Sequence, residues 1–110
     1  MSVLQTQIPV NRGVNMISEK DLIFLISMLD KEDKIEFVEE FREDFEQQIE
    51  EKKLSWTAYY KFLRGYAPAD ERILEIALAD EDAKQWIIER VKAKAQKALQ
   101  IISEIEGNEE

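Results

Sequence analysis

Apolar residues recur at helical spacing along most of this chain. After a stretch without helical period at 1–16, the pattern predicts five helices, at about 18–29, 31–52, 55–64, 70–78 and 82–106. Residues that favour helix starts open them: Ser18, Asp30, Ser55, Asp70 and the acidic run from Asp80. We therefore expect an all-α fold, a compact bundle of about five helices with a long C-terminal helix.

The 110 residues predict a single domain, at 17–106. Residues 1–16 are expected to form a flexible N-terminal arm, and 107–110 a disordered tail. An alternative for the arm is a short extended strand that uses Val3, Ile8 and Val10. Met16 is an alternative start of the chain.

The first two predicted helices differ in pattern. The first is apolar nearly all round, which predicts a central, buried position. The second carries an apolar stripe of Phe37, Phe41, Phe45 and Ile49 opposite an acidic face, and residues 17–51 hold 13 acids and 4 bases. A solvated surface is the simpler interpretation of that face. A carboxylate metal site is the alternative, but the chain has no His to complete the usual bundle di-metal motif.

Composition narrows the chemistry. The chain has no Cys and no His, which removes disulfides, thiolate nucleophiles and the commonest general base. It also has no glycine-rich phosphate loop, so we expect no enzyme, no cofactor and no small-molecule substrate. No apolar run is long enough for a membrane helix. We expect a cytoplasmic protein, and the high Glu and Lys content favours a thermophile.

One basic and aromatic segment stands out in a chain of net charge -9. Residues 52–66 hold four bases, no acid and four large aromatic residues besides Phe62. Helical spacing puts Ala58, Tyr59, Phe62 and Leu63 on an anchoring side, with Leu54 just before the helix. The remaining surface and the preceding turn form the predicted DNA-binding site, which comprises Lys52, Lys53, Ser55, Trp56, Thr57, Tyr60, Lys61 and Arg64.

Leu54-Ser55, Gly65 ten residues after the serine, Pro68 and the apolar helix ending in Ala77-Leu78 carry a resemblance. Over about 45–79 the chain resembles the helix-turn-helix of phage-repressor and Cro-like DNA-binding domains. The resemblance implies that 55–64 is the recognition helix, with Trp56, Thr57, Tyr60 and Lys61 toward the major groove of double-stranded DNA. It implies a transcriptional regulator or a recombination accessory protein. The family usually has a small residue in place of Ile49, an apolar residue in place of Lys52 and often glycine in place of Lys53, so a differently built turn is an alternative.

The last predicted helix carries a heptad seam, which predicts a homodimer through this helix. The dimerisation residues are Ile88, Val91, Ala95, Ala98, Ile102 and Ile105. A helix packed across its own domain is the alternative. The acidity of the chain opposes DNA binding at long range, and Trp and Tyr are also frequent in protein interfaces. The second candidate function is therefore a non-enzymatic interaction or assembly domain that uses 55–66 and this seam.

Overall fold

A computed structural model describes residues 17–108, which form six α-helices and no strand. They are α1 Glu19–Ser27, α2 Lys31–Glu40, α3 Arg42–Glu50, α4 Trp56–Leu63, α5 Asp70–Ala79 and α6 Glu81–Asn108. The all-α prediction and the long C-terminal helix are confirmed. The predictions for 1–16 and for the last two residues lie outside the described residues. The tail prediction is corrected at its start, because α6 continues through Asn108.

The predicted second helix is two helices that meet at Phe41. The backbone of Phe41 leaves the helical region at φ -108° and ψ 38°. A straight helix over 31–52 would be about 33 Å long and would carry its stripe past a small core. The bend keeps both Phe37 and Phe45 fully buried, with their rings 6.2 Å apart. Tertiary packing thus divides one continuous apolar stripe.

All six helices contribute to the core: α1, α5 and α6 pack against one another, α4 packs against α2, and α3 packs against α2 and α5. Its fully buried large side chains are Phe37, Phe45, Leu22, Ile73, Ile87 and Val38. The expected central burial of the first helix is wrong: Leu22 and Ile26 face the core, but Ile23 and Phe24 remain 49% and 62% exposed. The reason is that α1 packs on α5 and α6 from one side only.

Helix caps position these elements much as the sequence predicts. Ser18, Asp30 and Ser55 are N-caps whose side chains accept hydrogen bonds from backbone N–H groups. Asp80 likewise accepts from the Asp82 N–H at the start of α6. The predicted cap at Asp70 is corrected to Ala69. Asp70 lies in the first turn of α5 and pairs with Lys34 at 2.9 Å.

A charge cluster around the buried Asp33 fastens α6 to the start of α2. Arg90 donates to Asp33 and to Glu36 at 2.7 Å each, and Lys94 pairs with Asp33 at 2.8 Å and with Asp30 at 3.1 Å. Burial by itself raises the pKa of Asp33. The hydrogen bonds from Lys94, the Asp30 N–H and Arg90 outweigh it and lower the pKa to about 2. Part of the acidic surface of α2 is therefore neutralised by bases of α6.

Candidate nucleic-acid interface

In the turn that leads into α4, a lysine adopts the left-handed backbone conformation. Lys52 has φ +64°. Its N–H donates to the Ile49 carbonyl and the Lys53 N–H donates to the Gln48 carbonyl, both at 2.9 Å. This pair of bonds is the Schellman motif, which usually places glycine at the left-handed position. The turn therefore forms in a way that the resemblance did not predict, with Lys52 at the left-handed position.

The turn after α4 is also a Schellman motif, and here glycine occupies the left-handed position. Gly65 has φ +72°, its N–H donates to the Phe62 carbonyl, and the Tyr66 N–H donates to the Lys61 carbonyl. A β-carbon at Gly65 would collide with Lys31 Cε and lie 3.1 Å from Ile35 Cδ1. Gly65 is thus required for its backbone angle, while the flexible end of Lys31 can move to relieve the close contact.

The inner face of α4 anchors it as predicted. Tyr59 and Phe62 are 2% and 8% exposed, and Leu54 is buried just before the helix. Both rings lie against Phe45, with centroids 6.2 and 6.5 Å away. Ala58 and Leu63 are half-buried against the same core. These contacts fix the rotation of α4 about its own axis, and hence which residues face solvent.

All eight residues of the predicted DNA-binding site are exposed. We call the five on the helix the outer face of α4; they are Trp56, Thr57, Tyr60, Lys61 and Arg64. Trp56 and Tyr60 stack with centroids 5.8 Å apart and planes 26° from parallel. The Arg64 guanidinium lies 5.9 Å from the Tyr60 ring centroid. The outer face therefore carries two stacked aromatic rings with the Arg64 guanidinium near one of them, and Thr57 and Lys61 lie beside this group.

The charges of this surface are mostly unpaired. Lys52, Lys61 and Arg64 form no ion pair with another residue of the described range 17–108. Lys53 differs, because its ammonium lies 3.2 Å from the exposed Glu51 carboxylate. The hydrogen bonds from Lys53 and then from Gln47 lower the pKa of Glu51. Three cations are therefore available to a ligand at the turn and on α4, and Lys53 is shared with Glu51.

The structure adds one residue that the sequence analysis did not select. The stem of Lys31 packs over Gly65, so its ammonium lies beside the C-terminal end of α4. Lys31 is exposed and has no ion pair within 17–108. No sequence signal identifies it, because Lys31 follows Asp30 at the start of an otherwise acidic segment. It adds a cation beside Gly65, at the C-terminal end of α4.

The predicted dimerisation residues fall into two groups in the structure, one packed into the domain and one exposed. Val91 is buried within its own domain and Ile88 is half-buried, so the seam is corrected at this end. The residue of α6 that the seam missed is Ile87, which is fully buried together with Ala83. The other four residues, Ala95, Ala98, Ile102 and Ile105, are exposed. The first half of α6 thus belongs to the domain, and the second half extends beyond it.

Comparisons with known proteins give no relative. No family model, curated protein or solved structure matches this chain. Within the described part of the chain, no helix combines the length and apolarity needed to cross a membrane. A functional proposal for this protein therefore rests on the geometry and charge of the surface around α4.

Proposed function

We propose that this protein binds double-stranded DNA through the α3–turn–α4 unit, with α4 in the major groove. The observation that carries the proposal is the division of α4 into two faces. Every residue selected for DNA contact is exposed, while the residues selected as anchors are buried or half-buried. A major groove about 12 Å wide accepts one helix that presents such a side. The role would be that of a transcriptional regulator or a recombination accessory protein.

The outer face supplies the groups that direct readout requires. Thr57 and Tyr60 carry hydroxyls, Lys61 is a donor to guanine, and Trp56 offers apolar area for thymine methyl groups. Arg64, Lys52 and Lys53 lie around these residues and suit phosphates. The Ser55 hydroxyl and the first N–H groups of α4 can hold a further phosphate. Lys31 extends the set at the other end of the helix.

The backbone at Lys52 also supports a functional surface. A side chain in the left-handed region costs about 1 kcal/mol relative to glycine, which the chain uses at the equivalent turn position 65. Residues held in such conformations often serve binding sites. A lysine there directs a cation toward the solvent just before the proposed recognition helix. Lysine in place of glycine at this turn thus lowers the stability of the fold and supplies a cation that can bind phosphate.

The net charge of -9 opposes a phosphate backbone at long range, and the placement of the charges decides how strongly. Asp30, Asp33 and Glu36 are paired with Arg90 and Lys94, so they contribute little unbalanced charge. Charges separated by more than a Debye length of about 8 Å are screened at physiological salt. The segment 52–66 carries four bases and no acid of its own, which favours the approach of a phosphate backbone at α4.

The test is fluorescence anisotropy with labelled duplex DNA of mixed sequence, at several salt concentrations. We expect the double variant Lys61→Ala, Arg64→Ala to bind at least about tenfold more weakly, and its slope of log affinity against log salt to fall by about 2. The matched control is Lys20→Ala, Lys92→Ala, which removes two exposed bases elsewhere and should change affinity about twofold or less. Equal affinities of the wild type and a Lys52, Lys53, Lys61, Arg64 quadruple alanine variant would overturn the proposal.

A second variant separates binding from folding. Lys52→Gly removes a cation and also relieves the left-handed backbone, so the free energy of unfolding should rise by up to about 1 kcal/mol. DNA affinity should nevertheless fall. An affinity equal to that of the wild type would remove Lys52 from the contact surface.

The stacked Trp56–Tyr60 pair favours one further candidate, an interaction domain that binds a protein through α4. Trp, Tyr and Arg dominate the energetics of protein interfaces, and all three are exposed here within three helical turns. The two functions differ in their response to salt. Failure of the duplex to bind even at low salt, in a correctly folded protein, would favour the protein partner.

A further inference from the structure

The first half of α6, residues 81–94, is held against the domain on one face. Ala83 and Ile87 are fully buried and Val91 is 7% exposed, at spacings of four residues. Arg90 and Lys94 add the ion pairs to Asp30, Asp33 and Glu36. From residue 95 to residue 107, every residue is exposed. The domain therefore covers α6 as far as Lys94.

The second half, residues 95–108, carries the same apolar face with nothing over it in the described part of the chain. Ile105 follows Ile87 by 18 residues, which is five full helical turns, and Ala98 follows Val91 by seven. Four large aliphatic side chains along this half are 47–65% exposed; they are Leu99, Ile101, Ile102 and Ile105. The face that is buried in the first half is thus bare from Ala95 to Ile105, over about 15 Å of helix.

A bare apolar face of this kind points to a partner helix. An isolated helix of about 14 residues is marginal in water, because its stability comes mainly from packing. Contiguous apolar patches on a soluble surface mark interaction sites. The occupant must itself offer an apolar helical face of similar length.

The charges beside the face indicate which occupant fits. Lys97 and Glu104 are seven residues apart, so they lie on the same edge of the apolar face. Neither forms an ion pair with another described residue. In a parallel pair of identical helices this edge would lie against the opposite edge of the partner helix, so Lys97 and Glu104 would not meet each other. In an antiparallel pair centred between residues 100 and 101, Lys97 of each copy would face Glu104 of the other.

We propose that a second copy of this chain covers the free half of α6, as an antiparallel two-fold pair. The same patch serves both copies, with Ala98 and Ile101 near the axis, and a lysine–glutamate pair forms at each end. Lys94 closes the interface toward the domain, because its ammonium is engaged by Asp30 and Asp33 while its stem remains apolar. The two domains then lie at opposite ends of the helix pair.

The first test is the mass of the full chain in solution, by sedimentation equilibrium without DNA. The wild type should approach twice 12.9 kDa at tens of micromolar protein, and Ile101→Asp should return the mass to that of one chain. The matched control is Gln100→Asp, which puts the same charge on the opposite side of α6 and should leave the dimer intact. A monomeric Ile101→Asp chain that still unfolds cooperatively shows that the loss is one of association and not of folding.

The second test uses the absence of native cysteine. A mixture of Lys97→Cys and Glu104→Cys chains should oxidise mainly to the mixed dimer, in which the disulfide joins position 97 of one chain to position 104 of the other. Failure of the mixed disulfide to form, in a mixture that still associates, would exclude the antiparallel pair and overturn the proposal.

A wild-type chain that stays monomeric would also overturn the proposal. Protection of residues 95–108 from hydrogen exchange in that monomer would point to residues 1–16 as the cover. Because neither test uses DNA, their results are independent of the proposed DNA binding.

Discussion

Helices α4 and α6 both hold the domain with one face, but they expose surface in different ways. On α4 the exposed side is a different face from the buried one: neighbouring Tyr59 and Tyr60 are 2% and 46% exposed. On α6 the exposed side is the same apolar face, continued beyond the point where the domain ends. On α4, buried and exposed residues lie on different sides of the helix. On α6, they lie on the same side but in different halves of its length.

This difference separates two kinds of surface. The outer face of α4 never faces the core, so its threonine, lysine and arginine are free to serve a polar ligand. The free half of α6 repeats the pattern that buries Ile87, so it suits another apolar helix. Exposure alone does not distinguish them. The relation of each exposed face to the buried face of the same helix does.

The largest expected effect is on the inner face of α4. Phe62→Ala should lower the free energy of unfolding by about 3 kcal/mol, because it leaves a cavity against Phe45 in the core. The matched variant on the outer face, Tyr60→Ala, should cost less than about 1 kcal/mol. Urea titration of both variants measures the difference. Equal losses would contradict the assignment of two faces to α4.

Acid should next weaken the attachment of α6. The pKa of Asp33 lies at about 2 in the folded chain and near 3.8 when unpaired, so its contribution to stability is present above about pH 5. It is lost as the pH falls toward 2, and amounts to about 2 kcal/mol. Urea midpoints measured between about pH 6 and 2 should show this fall.

The control for the acid effect is Asp33→Asn, which should be less stable at neutral pH and should flatten the curve over the same range. Glu36→Gln should leave most of the slope, since Glu36 is exposed. A slope unchanged by Asp33→Asn would show that other carboxylates hold α6.

A smaller effect is expected at the end of α4. Gly65→Ala should lower the free energy of unfolding by about 1–2 kcal/mol, from the positive φ and the contact with Lys31 Cε. Gly107→Ala on the free half of α6 is the control, because nothing lies near its added carbon, and it should be neutral or slightly stabilising. Thermal melts compare the two. Similar melting temperatures would contradict the left-handed backbone at Gly65.

The smallest effect concerns Tyr59. Its hydroxyl is buried without a hydrogen-bond partner in the described part of the chain, and burial raises its pKa. Tyr59→Phe should therefore be neutral or stabilise by up to about 1 kcal/mol. Tyr60→Phe should leave stability unchanged. Destabilisation by Tyr59→Phe beyond that of Tyr60→Phe would indicate a partner for the Tyr59 hydroxyl.

Local patterns predicted most elements and the two sides of α4. Spacing separated Tyr59 and Phe62 from Tyr60 and Lys61, because a short capped helix has only one way to bury its apolar side. The same reasoning failed on α1 and at Phe41. A hydrophobic pattern indicates which residues can be buried. The number of neighbouring helices decides how many of them are buried. The turn before α4 also escaped prediction, since a lysine at the left-handed position has no sequence signature.

The sequence by itself determined the all-α class, four helix caps, the anchoring side of α4 and the candidate DNA-binding residues. These follow from interactions within a few residues, which spacing and residue type specify. Only the tertiary structure decided that Phe41 divides a helix, that Lys31 joins the end of α4 and that Arg90 and Lys94 neutralise Asp33. It also decided that α6 outruns the domain after Lys94. Each of these depends on contacts between residues distant in the chain, which no local pattern encodes.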